Sequence, residues 1–184
     1  MNQNQKFLLL LLTGGAAYYL YNNNGDPETA VQNFTSDIQA ATMGWKNAGS
    51  GPTWVPILNE AEQVYGLPTD MLAAVAYQES GFIENVIRGL TPSSDGLSLG
   101  IMQLQTQYYP NLVGPSVPVP YTDQNVSDQI NEAGQVFASN YAVLGSWPAT
   151  IAAWNQGLSG VQRNGITSTT YVNNILGNAP AANV

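Results

Sequence analysis

From Val126 to Leu144 the apolar residues Val126, Ile130, Ala133, Phe137, Tyr141 and Leu144 recur at threes and fours. That is the period of a long helix with one apolar stripe, and such a stripe stays out of water only when other elements cover it. The rest of the chain supplies helical segments for this. One is predicted over Pro56 to Tyr65, and another from Thr69 as N-cap to about Ser80. Pro148 opens a short helix through Trp154, and a last one runs from about Thr169 to Leu176, stopped by Gly177. Between Gly89 and Pro120, Gly, Pro and Ser are dense, which leaves only short strands near Leu97 to Leu104. The expected fold is mainly α, with a minor short-stranded or irregular segment, no internal repeat and no heptad run.

Three regions are expected: an N-terminal segment over residues 1–25, a helical linker over 26–52 and one globular domain over 53–184. Residues 7–21 carry no charge. At 15 residues this stretch is shorter than the ~20 that cross a bilayer comfortably. The short leucine run with Gly15 and Ala17 fits a cleaved signal peptide, whereas Tyr18, Tyr19 and Tyr21 fit the interfacial belt of a retained transmembrane helix. The retained anchor is the expectation, with Lys6 inside and the domain exported. Asp26 and Pro27 then start a helix carrying Val31, Phe34, Ile38 and Ala41, and "NAGSGPT" at 47–53 breaks the chain before the domain.

Cysteine and histidine are both absent. Disulfides, Cys/His zinc sites, cysteine nucleophiles and imidazole bases go with them, so acid/base chemistry must rest on carboxylates. The four basic residues, Lys6, Lys46, Arg88 and Arg163, against a net charge of -8, form no patch that could neutralise a phosphate backbone. No nucleic-acid partner, metal or cofactor is expected. Abundant Asn, Gln, Ser, Thr and Tyr suit hydrogen bonding and stacking on neutral sugars, and they suit an ordinary soluble surface as well.

Leu72, Val75, Ala76 and Glu79 fall at i, i+3, i+4 and i+7, so a carboxylate shares the apolar face of its helix and sits in the last turn. Desolvation and the helix dipole both disfavour its ionised form there, as a general acid requires. A buried glutamate bonded to backbone is the structural alternative.

The segments "AAVAYQESGF", "LGIMQL", "ATIAAWNQGLSGV" and "YVNNIL" occur in that order. In this they resemble the catalytic domain of the soluble lytic transglycosylases, whose lysozyme-like fold is shared with goose-type lysozyme. The resemblance covers roughly Trp54 to Gly177.

It implies cleavage of the β-1,4 bond between N-acetylmuramic acid and N-acetylglucosamine in peptidoglycan, with Glu79 as the one essential acid. Protonated Glu79 would give its proton to the glycosidic oxygen, and the substrate's N-acetyl group would stabilise the charge left on the sugar. Glu79 would then take the proton of the muramic 6-hydroxyl as a 1,6-anhydro ring closes. By the same resemblance Gln103 of "GIMQL" faces substrate, with Met102 and the groove serine Ser94 nearby. Asn155 of "AAWNQG" would bond sugar or acetamido groups, and Trp154 stands where tyrosine is usual. Tyr171 of "YVNNIL" would reach Glu79, although the acid that often precedes this motif is missing from "GITSTTYV".

Two other functions fit the same residues. A hydrolytic muramidase would need water oriented by another acid, for which Glu84 and Asp95 are nearest in sequence. A domain that binds glycan, or serves as a structural envelope or virion protein, would not turn substrate over. The expected partners are peptidoglycan strands and, through the N-terminal segment, a lipid membrane.

Overall fold

The computed structural model describes residues 44–93 and 96–182. The expected anchor, the expected linker up to residue 43, Ser94 and Asp95 lie outside these. Trp45–Val184 forms one compact unit. A 3-10 turn at Gly44–Asn47 is followed by α1 (Gly51–Tyr65), α2 (Met71–Ser80) and α3 (Glu84–Ile87). Then come β1 (Ser98–Leu99), β2 (Leu104–Gln105), α4 (Pro110–Val113) and the long α5 (Asp123–Leu144). The chain continues through α6 (Trp147–Gln156), α7 (Leu158–Asn164) and α8 (Thr169–Asn178) to a 3-10 turn at Pro180–Ala182. Among the described residues the strands form one two-stranded antiparallel sheet, with Ser98 opposite Gln105 and Leu99 opposite Leu104. No described helix is long and apolar enough to cross a membrane.

Helix α5 is the frame. Val126, Ile130, Ala133 and Phe137 of the predicted stripe are fully buried, and α1 and α6 pack along it. Its N-terminus is closed by a capping box: Thr122 Oγ1 accepts from the Asn125 amide at 3.2 Å, and Asn125 Oδ1 accepts from the Thr122 amide at 3.1 Å. Trp54 and Leu58 of α1 meet the stripe at 1% and 0% exposure, each such burial contributing about 2 kcal/mol.

Helix α2 differs from its expected form. Met71 through Ala76 are all fully buried, so the helix runs through the centre of the domain and is apolar on every side over its first turns. Its N-cap is Asp70, not Thr69, and Asp70 makes no side-chain cap bond. The buried side chain of Glu62, on the preceding helix, accepts from the first amides of α2 in its place.

Other boundaries shift for local reasons. Helix α1 starts at Gly51, because Pro52 in its first turn is pre-shaped for a helix and needs no donor. Thus "NAGSGPT" is only partly a break. Helix α8 runs through Gly177 to Asn178, and Ala179, whose amide bonds Ile175 O at 2.8 Å, closes it. Helix α6 starts at Trp147 and extends beyond Trp154 to Gln156.

Candidate active site

Glu79 lies in the last turn of α2, two residues before Gly81 ends the helix in the left-handed conformation, φ 59°. The three residues after Glu79 build that ending. Ser80 is buried, and its hydroxyl donates to Ala76 O at 2.7 Å while accepting from the Phe82 amide at 3.2 Å. Phe82 then plugs into the core against Trp45 and Tyr77. In "ESGF", therefore, the residues following the acid fix the point at which the helix stops beneath it. The sequence reading missed the role of Ser80, whose signal was a small hydroxyl just ahead of a glycine at a helix end.

The Glu79 carboxylate is half-buried, and Oε1 accepts a 2.6 Å hydrogen bond from the Tyr171 hydroxyl on α8. Burial raises its pKa above the ordinary value, and the Tyr171 bond pulls in the opposite direction. Tyr171 itself is pushed well above its usual range, by burial first and then by the charge and bond of Glu79, so it remains a donor. Helix α8 packs on α2, with Asn174 Nδ2 also donating to Gln78 Oε1 at 3.4 Å, and it packs on α6 too. It therefore joins the acid to the "AAWNQG" segment.

That join is tightened by Gln156, the last residue of α6. Its Oε1 accepts from the amides and hydroxyls of Thr167 and Ser168 at 3.0–3.1 Å, and its Nε2 donates to Gly165 O at 2.7 Å. Ser168 is the N-cap position of α8, three residues ahead of Tyr171. One side chain thus holds the loop that delivers the tyrosine.

The "GIMQL" segment turns between β1 and β2. Gly100 has φ 82°, and a Cβ there would lie 2.0 Å from Gln129 Oε1. Only glycine permits this approach. Gln129 is fully buried on α5 and accepts from the Ile101 amide at 3.2 Å. Gln103 is in the turn, not on a strand, with φ 48°. Its Nε2 donates to Gly100 O at 2.9 Å.

Gln103, Trp154 and Asn155 line a common cavity of about 510 Å³, together with Gln105, Tyr108 and Tyr109. Glu79 and Tyr171 are not among its lining residues. The candidate site thus has two parts, an acid–tyrosine pair and a polar, aromatic recess, carried on helices α8 and α6 that pack together. Trp154 is half-buried and stacks on Phe137, centroids 5.0 Å apart, while Asn155 is exposed.

Two expectations change. Met102, expected beside substrate, is fully buried and fills the core beneath the turn. Its neighbour Gln103 is half-buried and lines the cavity, because the backbone reverses there. Glu84, considered as a water-orienting acid, accepts from the Ser50 hydroxyl and pairs with Arg88 Nε at 2.7 Å. The Ser50 bond, and after it Arg88, hold its carboxyl below the ordinary value. It serves a surface ion pair that Arg88 extends to Asp123 at 2.7 Å.

A family model described as "Transglycosylase SLT domain" matches residues 56–174, well over half of the chain. The chain belongs to that family, whose members are peptidoglycan lytic transglycosylases that cleave glycosidic bonds as lyases. The mainly helical architecture with its small two-stranded sheet fits the lysozyme-like fold of the family. No curated protein and no solved structure matches the chain.

Proposed function

We propose that this enzyme cleaves the β-1,4 bond between N-acetylmuramic acid and N-acetylglucosamine and releases 1,6-anhydromuramic ends, with Glu79 acting first as acid and then as base. The observation that carries the reading is the 2.6 Å bond from Tyr171 to a Glu79 carboxyl whose pKa burial has raised. A carboxyl that holds its proton more tightly than it would in water can give it to the glycosidic oxygen as the C1–O bond breaks. The substrate's own N-acetyl group supports the cationic carbon, so a second protein carboxylate is not needed. The carboxylate left behind takes the proton of the muramic 6-hydroxyl, whose oxygen closes on C1. Glu79 ends the cycle protonated, as it began.

Tyr171 has a distinct role in each half. With the proton on Oε2, its bond to Oε1 orients the carboxyl; once the proton has left, the same bond stabilises the anion. Gln103 and Asn155 supply amide groups, and Trp154, with the neighbouring tyrosines, apolar faces to the recess that would receive the glycan. Ser94 is proposed as a further groove contact.

For the setting of this activity, we propose that the uncharged stretch at 7–21 tethers the domain to a membrane, with the catalytic part on the periplasmic or exterior side. The combination of one catalytic domain and a membrane segment suits local opening of the wall, as in a phage virion during host entry.

The test is to incubate the full chain with purified peptidoglycan and identify the released ends by mass spectrometry. Anhydro ends support the reading; reducing ends from hydrolysis, or no release, overturn it.

A further inference from the structure

Glu62 is 2% exposed and lies two turns of chain before α2, in the last turns of α1. Every acceptor it has is committed to the junction between these helices. Its backbone carbonyl accepts from the Leu67 amide at 2.8 Å, closing α1. Its side chain reaches across the turn: Oε2 accepts from the Asp70 amide at 2.7 Å, and Oε1 from the Leu72 and Ala73 amides at 2.7 and 3.1 Å. The first amides of a helix have no partner within it, and here those of Leu72 and Ala73 are fully buried, so without Glu62 these two would be left unpaired in the core. The helix dipole and these amides favour a negative charge on Glu62, against the burial that raises its pKa. Asp70, which sits in the left-handed conformation at φ 66°, is held in turn by Lys46 Nζ at 2.5 Å.

The anchored amides belong to the helix that carries the acid. Glu79 lies seven residues beyond Leu72 on the same α2, about 10 Å along a rigid axis. At its far end, Ser80 and Gly81 fix where the helix stops.

We propose that Glu62 is a positioning residue for catalysis: by gripping three amides at the start of α2, it sets the advance and rotation of the helix that place the Glu79 carboxyl against Tyr171. This rests on Glu79 being the acid. Glu62 touches no substrate and transfers no proton. Its effect reaches the reaction through geometry, where a displacement of about 1 Å can cost on the order of 100-fold in rate.

The test uses the full chain on soluble peptidoglycan fragments, comparing wild type, Glu62→Gln and Glu79→Gln at a temperature well below each protein's own Tm. The amide of Glu62→Gln keeps an oxygen for Leu72 and Ala73 but turns a donor towards the Asp70 amide. It is expected to fold and to lose about 10-fold or more in kcat with KM held within about twofold. A residue that served stability alone would lower Tm and leave kcat of the folded protein intact; that result overturns the inference. Should Glu79→Gln match wild type, the acid assignment fails and this inference falls with it. An inactive Glu79→Gln beside a fully active Glu62→Gln removes only the role given to Glu62. If Glu62→Gln does not fold, native-state hydrogen exchange on wild type decides: the Asp70, Leu72 and Ala73 amides are expected to be as protected as those of mid-helix residues. Free exchange at these three overturns the grip itself.

Discussion

The Tyr171 hydroxyl lies 2.6 Å from Oε1 of Glu79, a contact that joins residues 92 positions apart in the chain. Burial around the pair raises the acid's pKa and that of its donor together, so each group holds its proton more tightly than it would in water. The bond limits how far burial can push the acid.

Removing that bond is the most direct probe of the balance. Tyr171→Phe is expected to lower kcat by about 10-fold, the scale of one hydrogen bond to a charged group. Because the bond lowers the Glu79 pKa, its loss raises that pKa further. The high-pH limb of the activity profile, where the acid loses its proton, should therefore move to higher pH. A limb that stays in place, or moves down, contradicts the assignment.

Replacing the acid separates chemistry from stability. Glu79→Gln is expected to lose at least about 100-fold in turnover, the lower bound for a general acid. Its Tm at neutral pH should equal or exceed that of wild type, since a neutral amide avoids the cost of ionising a half-buried carboxyl. Paired calorimetry and muropeptide release assays measure both; retained turnover would move the acid elsewhere.

Stability itself should depend on pH in a stated direction. Burial pushes Glu62 up to about 7 from an ordinary value of 4.5, against the opposing pull of the Ala73, Asp70 and Leu72 amides. Between these values the folded chain holds a proton that the unfolded chain has released, so raising the pH favours unfolding. The loss is on the order of 3 kcal/mol, complete once pH passes the folded-state value. Glu79, also raised, acts with the same sign. Urea unfolding at a series of pH values tests this; stability climbing through the window would refute it.

Gln156 offers a test away from the acid. Gln156→Ala removes five hydrogen bonds at the loop preceding α8. A loss of about 1–3 kcal/mol is expected from the donors left behind, with a fall in kcat as Tyr171 loses its register. If chemical unfolding and kcat are both unchanged, the loop holds itself.

Two glycines should respond oppositely to the same change. Gly100→Ala would drive its Cβ against Gln129 Oε1 at φ 82° and is expected to cost about 2 kcal/mol or more. Gly177→Ala, inside α8 with open space around its Cβ, should stabilise by about 0.5–1 kcal/mol. Equal effects in thermal melts would place the turn or the helix end wrongly.

Much of the fold was legible because it rests on local rules. The stripe on α5, Pro148 in the first turn of its helix, and the Gly-rich stretch holding two short strands all follow from period and backbone preference. Gln103 and Met102 show where such rules stop. Adjacent residues face opposite ways according to a turn whose sharpness depends on Gly100 meeting Gln129, 29 residues further on. Periodicity placed Glu79 on an apolar face, yet the first turns of α2 are buried on every side and only its last turn reaches the surface, so no single helix face explains its environment.

By itself, the order of residues determined a helical domain, an acid at a helix end and a chemistry confined to carboxylates, since these depend on side-chain type and near neighbours. Tertiary structure decided which hydroxyl meets that acid, which buried glutamate caps its helix and which polar groups share a recess. Those choices join residues from separate helices, and only the packing of α1, α2, α6 and α8 brings them within hydrogen-bond reach.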